Sequence, residues 1–289
     1  MKLILSLFLF CFWTTLTAQN PSAKTGRNIA ITLTPLKNTK VYLGSYYGKS
    51  MTLADSCVLD ANSKGVFRGK NKLTGGIYFV VSAQYTIQFE LLMDAGQQFS
   101  IVGDTSKKEE AKVLGSPDND LFKAYSIFSN QKGRQLQEWD RAYKLATNAS
   151  DSARYRNLIL EGNKALETYK TNVMEKHPRS LLAMLFHTMK RPVAPAVPVR
   201  NGQADSSYPY RYVREHFWDG VLFNDDRLLR TPFFEPKLDD YFKYYISPDA
   251  DSIIPEVKNI LLMARTGKEI YPYLLTKFTN KYMNPEFMG

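Results

Sequence analysis

The chain has little of what most reactive sites need. Its 289 residues include only 2 cysteines and 3 histidines. The cysteines are Cys11 and Cys57, so no CxxC motif exists, and with Cys11 inside an N-terminal apolar run Cys57 has no intrachain partner for a disulfide. Cys57 therefore reads as a small, half-buried strand residue rather than a reactive thiol. His177, His187 and His216 form no i, i+4 pair and no HExxH, which argues against zinc. The DxDxDG spacing of a calcium loop is missing, as are GxSxG, SxxK and a P-loop. No catalytic residue, cofactor site or metal site is expected from these patterns. No run of five or six basic residues occurs either. The formal charge of +10 is spread along the chain, which argues against nucleic acid as a partner and fits a solvated basic surface.

What is present begins with MKLILSLFLFCFWTTLTAQN. A lysine, a short apolar run and the small-residue stretch at 15–18 have the layout of a secretory signal peptide, residues 1–18, cleaved before Gln19. The run is shorter than the ~18 residues a membrane span requires. Export to the periplasm or cell envelope is the expected localisation, with no stable membrane span after cleavage. About 270 residues then remain, enough for one large or two modest domains.

From Ile29 to about Val102 apolar residues alternate with polar ones, as in Ile29, Ile31 and Leu33, or Ile87, Phe89, Leu91 and Met93. Turn residues interrupt at short intervals: Asn62 to Gly65, Gly75 with Gly76, and Asp94 to Gly96. Six or seven short strands are expected, forming an antiparallel β-sandwich or open barrel over residues 26–104.

After Gly115 the period changes to that of helices. One helix is expected through Leu121, Phe122, Tyr125 and Phe128, and a second through Leu136, Trp139 and Tyr143. A long third follows a break at residues 148–151, and Ser180 caps a short apolar fourth at residues 181–189. Residues 191–209 hold four prolines and read as an extended loop. Further helices carry Leu238 with Tyr241 and Phe242, then Ile253 with Val257 and Ile260, stopped by Gly267, and finally Ile270 with Leu274 and Phe278. The fold class is α+β: an N-terminal antiparallel β-sandwich followed by an all-α helical domain at 116–289. The triplet Asn148-Ala149-Ser150 fits N-glycosylation, and Asp151-Ser152-Ala153 an O-glycosylation pattern; triplets this short recur by chance.

The densest stretch is FWDGVLFNDDRLLRTPFFEPKL, residues 217–238. Trp218, Arg227, Arg230 and His216 could grip an anionic or planar ligand or a partner. The simpler reading is a corner where arginines cover aromatic rings and bond loop carbonyls. Asp225, just before Asp226, reads as a helix cap rather than a metal ligand.

The segment VYLGSYYGKSMTLADSCVLDANSKGVFRGKNKLTGGIYFVV resembles an N-terminal β domain of unknown function in Bacteroidota envelope proteins. Its Val41-Tyr42-Leu43 strand, Asp55-Ser56 edge, Gly65-Val66-Phe67 hairpin and Gly76-Ile77-Tyr78 strand start carry that resemblance. FWDGVLFNDDRLLRTPFFEPKLDDYF and NKYMNPEFMG look like the helical domain that follows it. In that family the two domains precede a thioredoxin-like module of the TlpA/ResA, AhpC/TSA-related kind, whose CxxC performs thiol–disulfide exchange. The resemblance thus implies a non-catalytic accessory pair that binds or positions an envelope protein or thioredoxin-like module. That module is missing here, so Gly289 reads as the end of a stand-alone portion or of a truncated frame. The alternative is an envelope ligand-binding module with its site near Trp218, Arg227 and Arg230.

Overall fold

A computed structural model describes residues 26–200 and 203–283. The expected signal segment at 1–18, the last six positions and the expectation about where the chain ends lie outside the described residues. The architecture is α+β, with two four-stranded sheets followed, among the described residues, by seven α-helices. The first sheet has the order β4-β1-β7-β8, formed by β4 (Lys64–Gly69), β1 (Arg27–Thr34), β7 (Gln98–Asp104) and β8 (Lys112–Leu114). The second has the order β3-β2-β5-β6, formed by β3 (Ser50–Val58), β2 (Lys40–Tyr47), β5 (Gly76–Val81) and β6 (Ile87–Met93). All ladders are antiparallel except β1 with β7, which runs parallel because the chain passes through the second sheet before returning beside β1. β8 carries the first sheet past residue 104, to Leu114.

The inner faces meet through Ile29, Ile31, Leu43, Phe67, Val80, Leu91 and Ile101, all essentially inaccessible to solvent. Each such side chain contributes roughly 1.5–3 kcal/mol by leaving water. The expected alternation fails at the start of β6. Ile87 is exposed and Gln88 is buried, because the β5–β6 register shifts between Val80 and Val81, where Val80 faces Phe89 and Val81 faces Ile87. The extra residue on β6 reverses the face of everything upstream of it.

Leu92, expected on the polar face, is also buried. It joins Ile77 in a second core made mainly of helical residues. The helical part therefore covers the outer face of the second sheet at β5 and β6.

That part starts with α1 (Pro117–Leu145) and α2 (Ala149–Lys176), a long antiparallel hairpin. The sequence suggests two helices where α1 is one. Gly133 lies between the two apolar patches but meets open space, and no proline interrupts them, so the helix continues. Asn148 caps α2 by accepting from Asp151 N at 2.8 Å. Gly162 lets α2 approach α1, since a Cβ there would lie 2.8 Å from Leu136 and 3.0 Å from Trp139.

α3 (Leu181–Met189) is buried almost all round and capped by Ser180. The proline-rich stretch then crosses the surface, with a two-residue ladder of β9 (Val199–Arg200) and β10 (Gln203–Ala204). α4 (Tyr208–Glu215), α5 (Phe234–Tyr244), α6 (Ala250–Ala264) and α7 (Ile270–Tyr282) complete the chain. Among the described residues no helix is long and apolar enough to cross a membrane.

Candidate functional site

Residues 217–238 contain a short 3-10 turn, Asp226–Arg230, and the start of α5. The structure separates the four candidate residues into two places. Arg227 and Arg230 face the β-sandwich, whereas Trp218 and His216 lie among the helices.

Asp225 caps the turn by accepting from Arg227 N at 3.0 Å, and its carboxylate also receives Arg227 Nη2 at 2.7 Å. Arg227 Nη1 reaches across to Asp94 at 2.9 Å, in the turn after β6. Arg230 Nη2 donates to Glu269 at 2.8 Å, and the other oxygen of Glu269 accepts from Thr74 Oγ1 at 2.8 Å. The guanidinium of Arg230 also lies 5.6 Å from the centre of the Tyr47 ring. Asp226 is half-buried and caps α7, accepting from Glu269 N at 2.9 Å and Ile270 N at 3.0 Å. The carboxylates of this stretch are thus engaged with its guanidiniums and with neighbouring backbone, while Arg230 Nη1 is buried without a hydrogen-bond partner.

Backbone fit places them. A Cβ on Gly75 would sit 2.7 Å from Arg227 Cδ, and one on Gly76 would fall inside contact distance of Arg230 Cβ. The glycine pair that reads in sequence as turn punctuation serves close approach between β5 and the 3-10 turn.

A neighbouring polar group extends the same seam. Glu235, 6 % exposed, accepts from Lys277 Nζ at 2.6 Å and from the Tyr273 hydroxyl. Lys277 also pairs with Asp239 at 3.0 Å, and Asp239 with Lys49 at 2.6 Å, in the β2–β3 hairpin. Burial, and then the Glu235 carboxylate, push the Tyr273 phenol well above its ordinary range, so it stays a donor. Gly48 N bonds Leu229 O at 2.9 Å. At the other end Asn119, from α1, bonds both the N–H and the carbonyl of Leu92, at 2.8 and 2.7 Å. Sequence reading missed Asp94, Thr74, Glu235, Asn119 and Tyr273. Their partners lie far along the chain, as with Arg227 and Asp94, which are 133 positions apart.

His216 Nδ1 is 2.8 Å from Asp219, and its ring lies 4.2 Å from that of Tyr212. Trp218 packs against Phe217, Phe223 and Tyr241, with ring centres 4.8–5.2 Å apart. Its Nε1 is buried with no hydrogen-bond partner. Beside it sits Lys237, 2 % exposed, with its ammonium over the Phe217 and Trp218 rings and donating to Lys190 O at 2.9 Å. Burial, reinforced by the Arg191 charge, lowers its pKa to about 8.

Trp218 also borders a cavity of about 460 Å3 between α4, α5 and α6. There Arg214 meets Glu256 at 3.3 Å and the Tyr241 hydroxyl meets the same carboxylate at 3.2 Å. Burial and Glu256 push the Tyr241 phenol up to about 12.

Cys57 is half-buried in β3. Burial, then the Asp55 carboxylate, push its thiol up to about 11, which leaves almost no thiolate at neutral pH. Among the described residues no three of His, Cys, Asp and Glu lie close enough together to hold a metal ion.

Fold and seam together define a two-part α+β protein whose sheet and helical parts are joined by paired charges. Comparison with known families fits that two-domain arrangement. Residues 28–122 match Domain of unknown function (DUF4369), and residues 162–285 match Domain of unknown function (DUF5106). The first match ends inside α1 and the second begins inside α2, so the outer part of the helical hairpin falls between them. No curated protein and no solved structure matches the chain.

Proposed function

We propose that this chain is an exported, non-catalytic, two-part module that holds and positions a partner protein of a thioredoxin-like thiol–disulfide exchange system in the cell envelope. The observation that carries the reading is the seam. Arg227 and Arg230, the cations best placed to grip a ligand, are instead tied to Asp94, Asp225 and Glu269. A seam of that kind keeps one orientation between two domains, which a positioning module requires and a simple linker does not. The protonated Cys57 thiol supports a role without redox chemistry of its own. Export and the thioredoxin association rest on the sequence resemblance.

Two measurements test the proposal together. Mass spectrometry of protein secreted from its full reading frame should find Gln19 as the first residue. The purified protein should then bind a thioredoxin-like envelope oxidoreductase in isothermal titration, while showing no disulfide reductase activity alone. Reduction of a disulfide substrate by the chain alone, persisting in Cys57→Ser, would refute the non-catalytic reading. Titration without heat against such oxidoreductases would refute the positioning role.

A further inference from the structure

The cavity bounded by α4, α5 and α6 has a chemistry that the seam does not use. Ile260 and Tyr241, both buried, and the half-buried Trp218 line its inner side; Met263 is 40 % exposed at its border. Arg214 and Glu256 contribute a facing cation and anion to the same wall; Arg211, tied to Asp205 at 2.6 Å, and Glu215 also border the cavity. Their separation of 3.3 Å is the longest of the arginine–carboxylate pairs among the described residues; the others lie at 2.6–2.9 Å. Charge-assisted pairs of good geometry close to about 2.7–2.9 Å, so this one is slack. Arg214 is also well exposed, with 45 % of its side chain accessible. At that exposure part of the guanidinium faces solvent, beside the Tyr241 hydroxyl with which it also interacts.

A ligand of single charge would be attracted by one of these groups and repelled by the other. A ligand carrying both charges a few ångströms apart satisfies both and need not separate them widely. The aromatic and aliphatic lining then asks for an apolar body attached to those charges. The volume falls in the range of small-molecule sites, about 300–1,000 Å3.

We infer that this cavity binds a small zwitterion bearing an apolar side chain, a free α-amino acid being the simplest case, with its carboxylate on Arg214 and its ammonium on Glu256. Trp218 keeps a place in ligand binding on this account, but Arg227 and Arg230 do not. The inference stands apart from the positioning role, which depends on complex formation with another protein.

The test is isothermal titration of the purified protein with L-phenylalanine, L-leucine and glycine. Two blocked forms, N-acetyl-L-phenylalanine and L-phenylalanine methyl ester, each remove one charge. Phenylalanine and leucine are expected to bind at submillimolar concentration, and glycine and both blocked forms about tenfold or more weakly. Arg214→Gln and Glu256→Gln should each weaken phenylalanine binding about tenfold or more while circular dichroism shows the native fold. Tryptophan fluorescence of a Trp139→Phe variant gives a second reading, because Trp218 is the indole at the cavity. Absence of both heat and fluorescence change at about 10 mM phenylalanine would overturn the inference. So would equal affinity for the blocked forms, or binding unaltered by both substitutions.

Discussion

Arg227 makes contact with two carboxylates on different parts of the chain, and its replacement by methionine leaves Asp94 and Asp225 half-buried without their cation. All three side chains are about one-fifth exposed or less. The cost should therefore exceed that of a surface pair, at about 2 kcal/mol. Urea denaturation of Arg227→Met should show that loss, and a change within ~0.5 kcal/mol would mean the pair is ornamental. Lys237 gives a second prediction, with a sign set by its pKa. Held at about 8 in the folded state, it sheds its proton before the unfolded chain does. Between that pH and ~10.4, the usual lysine value, the unfolded state binds more protons and stability contributed by this group rises with pH. Arg191 and Lys190 favour the neutral amine, and Asp219 opposes them. Relative to Lys237→Met, the protein should gain on the order of 3 kcal/mol as pH rises through that window. A flat difference between the two denaturation profiles would contradict the buried charge.

At the scale of elements, the close approach of β5 to the turn at Asp226–Arg230 depends on Gly76. A Cβ there would overlap Arg230 Cβ, so Gly76→Ala should destabilise by about 1–3 kcal/mol through forced separation of the two surfaces. Its melting temperature would fall clearly, whereas Gly133→Ala, in open space on a helix, should raise it slightly. The contrast separates packing from propensity. Elements with local signals were legible in the sequence: Ser180 as the cap of the apolar α3, and the break at residues 148–151, where Asn148 turns out to cap α2. β6 was half legible. Its alternation was plain, but the register shift opposite Val80 and Val81 depends on β5 and reverses Ile87 and Gln88. The break expected between Phe128 and Leu136 did not occur, since two apolar patches on one helix look like two helices when only their spacing is read. The candidate site was the least legible. Trp218 and Arg227 are close in sequence, yet one packs among helices and the other turns to Asp94 on the sheet. No local pattern encodes a partner that far along the chain.

For the whole molecule, the seam makes the sheet and the helices energetically one body. Ile77 and Leu92 belong to the sheet but are buried in the helical core. Asn119 reaches from α1 to both backbone groups of Leu92. Lys49 and Gly48, in a sheet hairpin, hold Asp239 and Leu229 in the helical part. Pulling the two parts apart would expose buried apolar surface and leave several charges unpaired at once, so neither part should persist when the other unfolds. A rigid junction of this kind is also what a module that positions a partner needs. Differential scanning calorimetry tests it most directly. The account predicts a single transition whose calorimetric and van't Hoff enthalpies agree, moving to lower temperature as a whole in Arg227→Met. Two resolved transitions, with Arg227→Met leaving both midpoints in place, would contradict it.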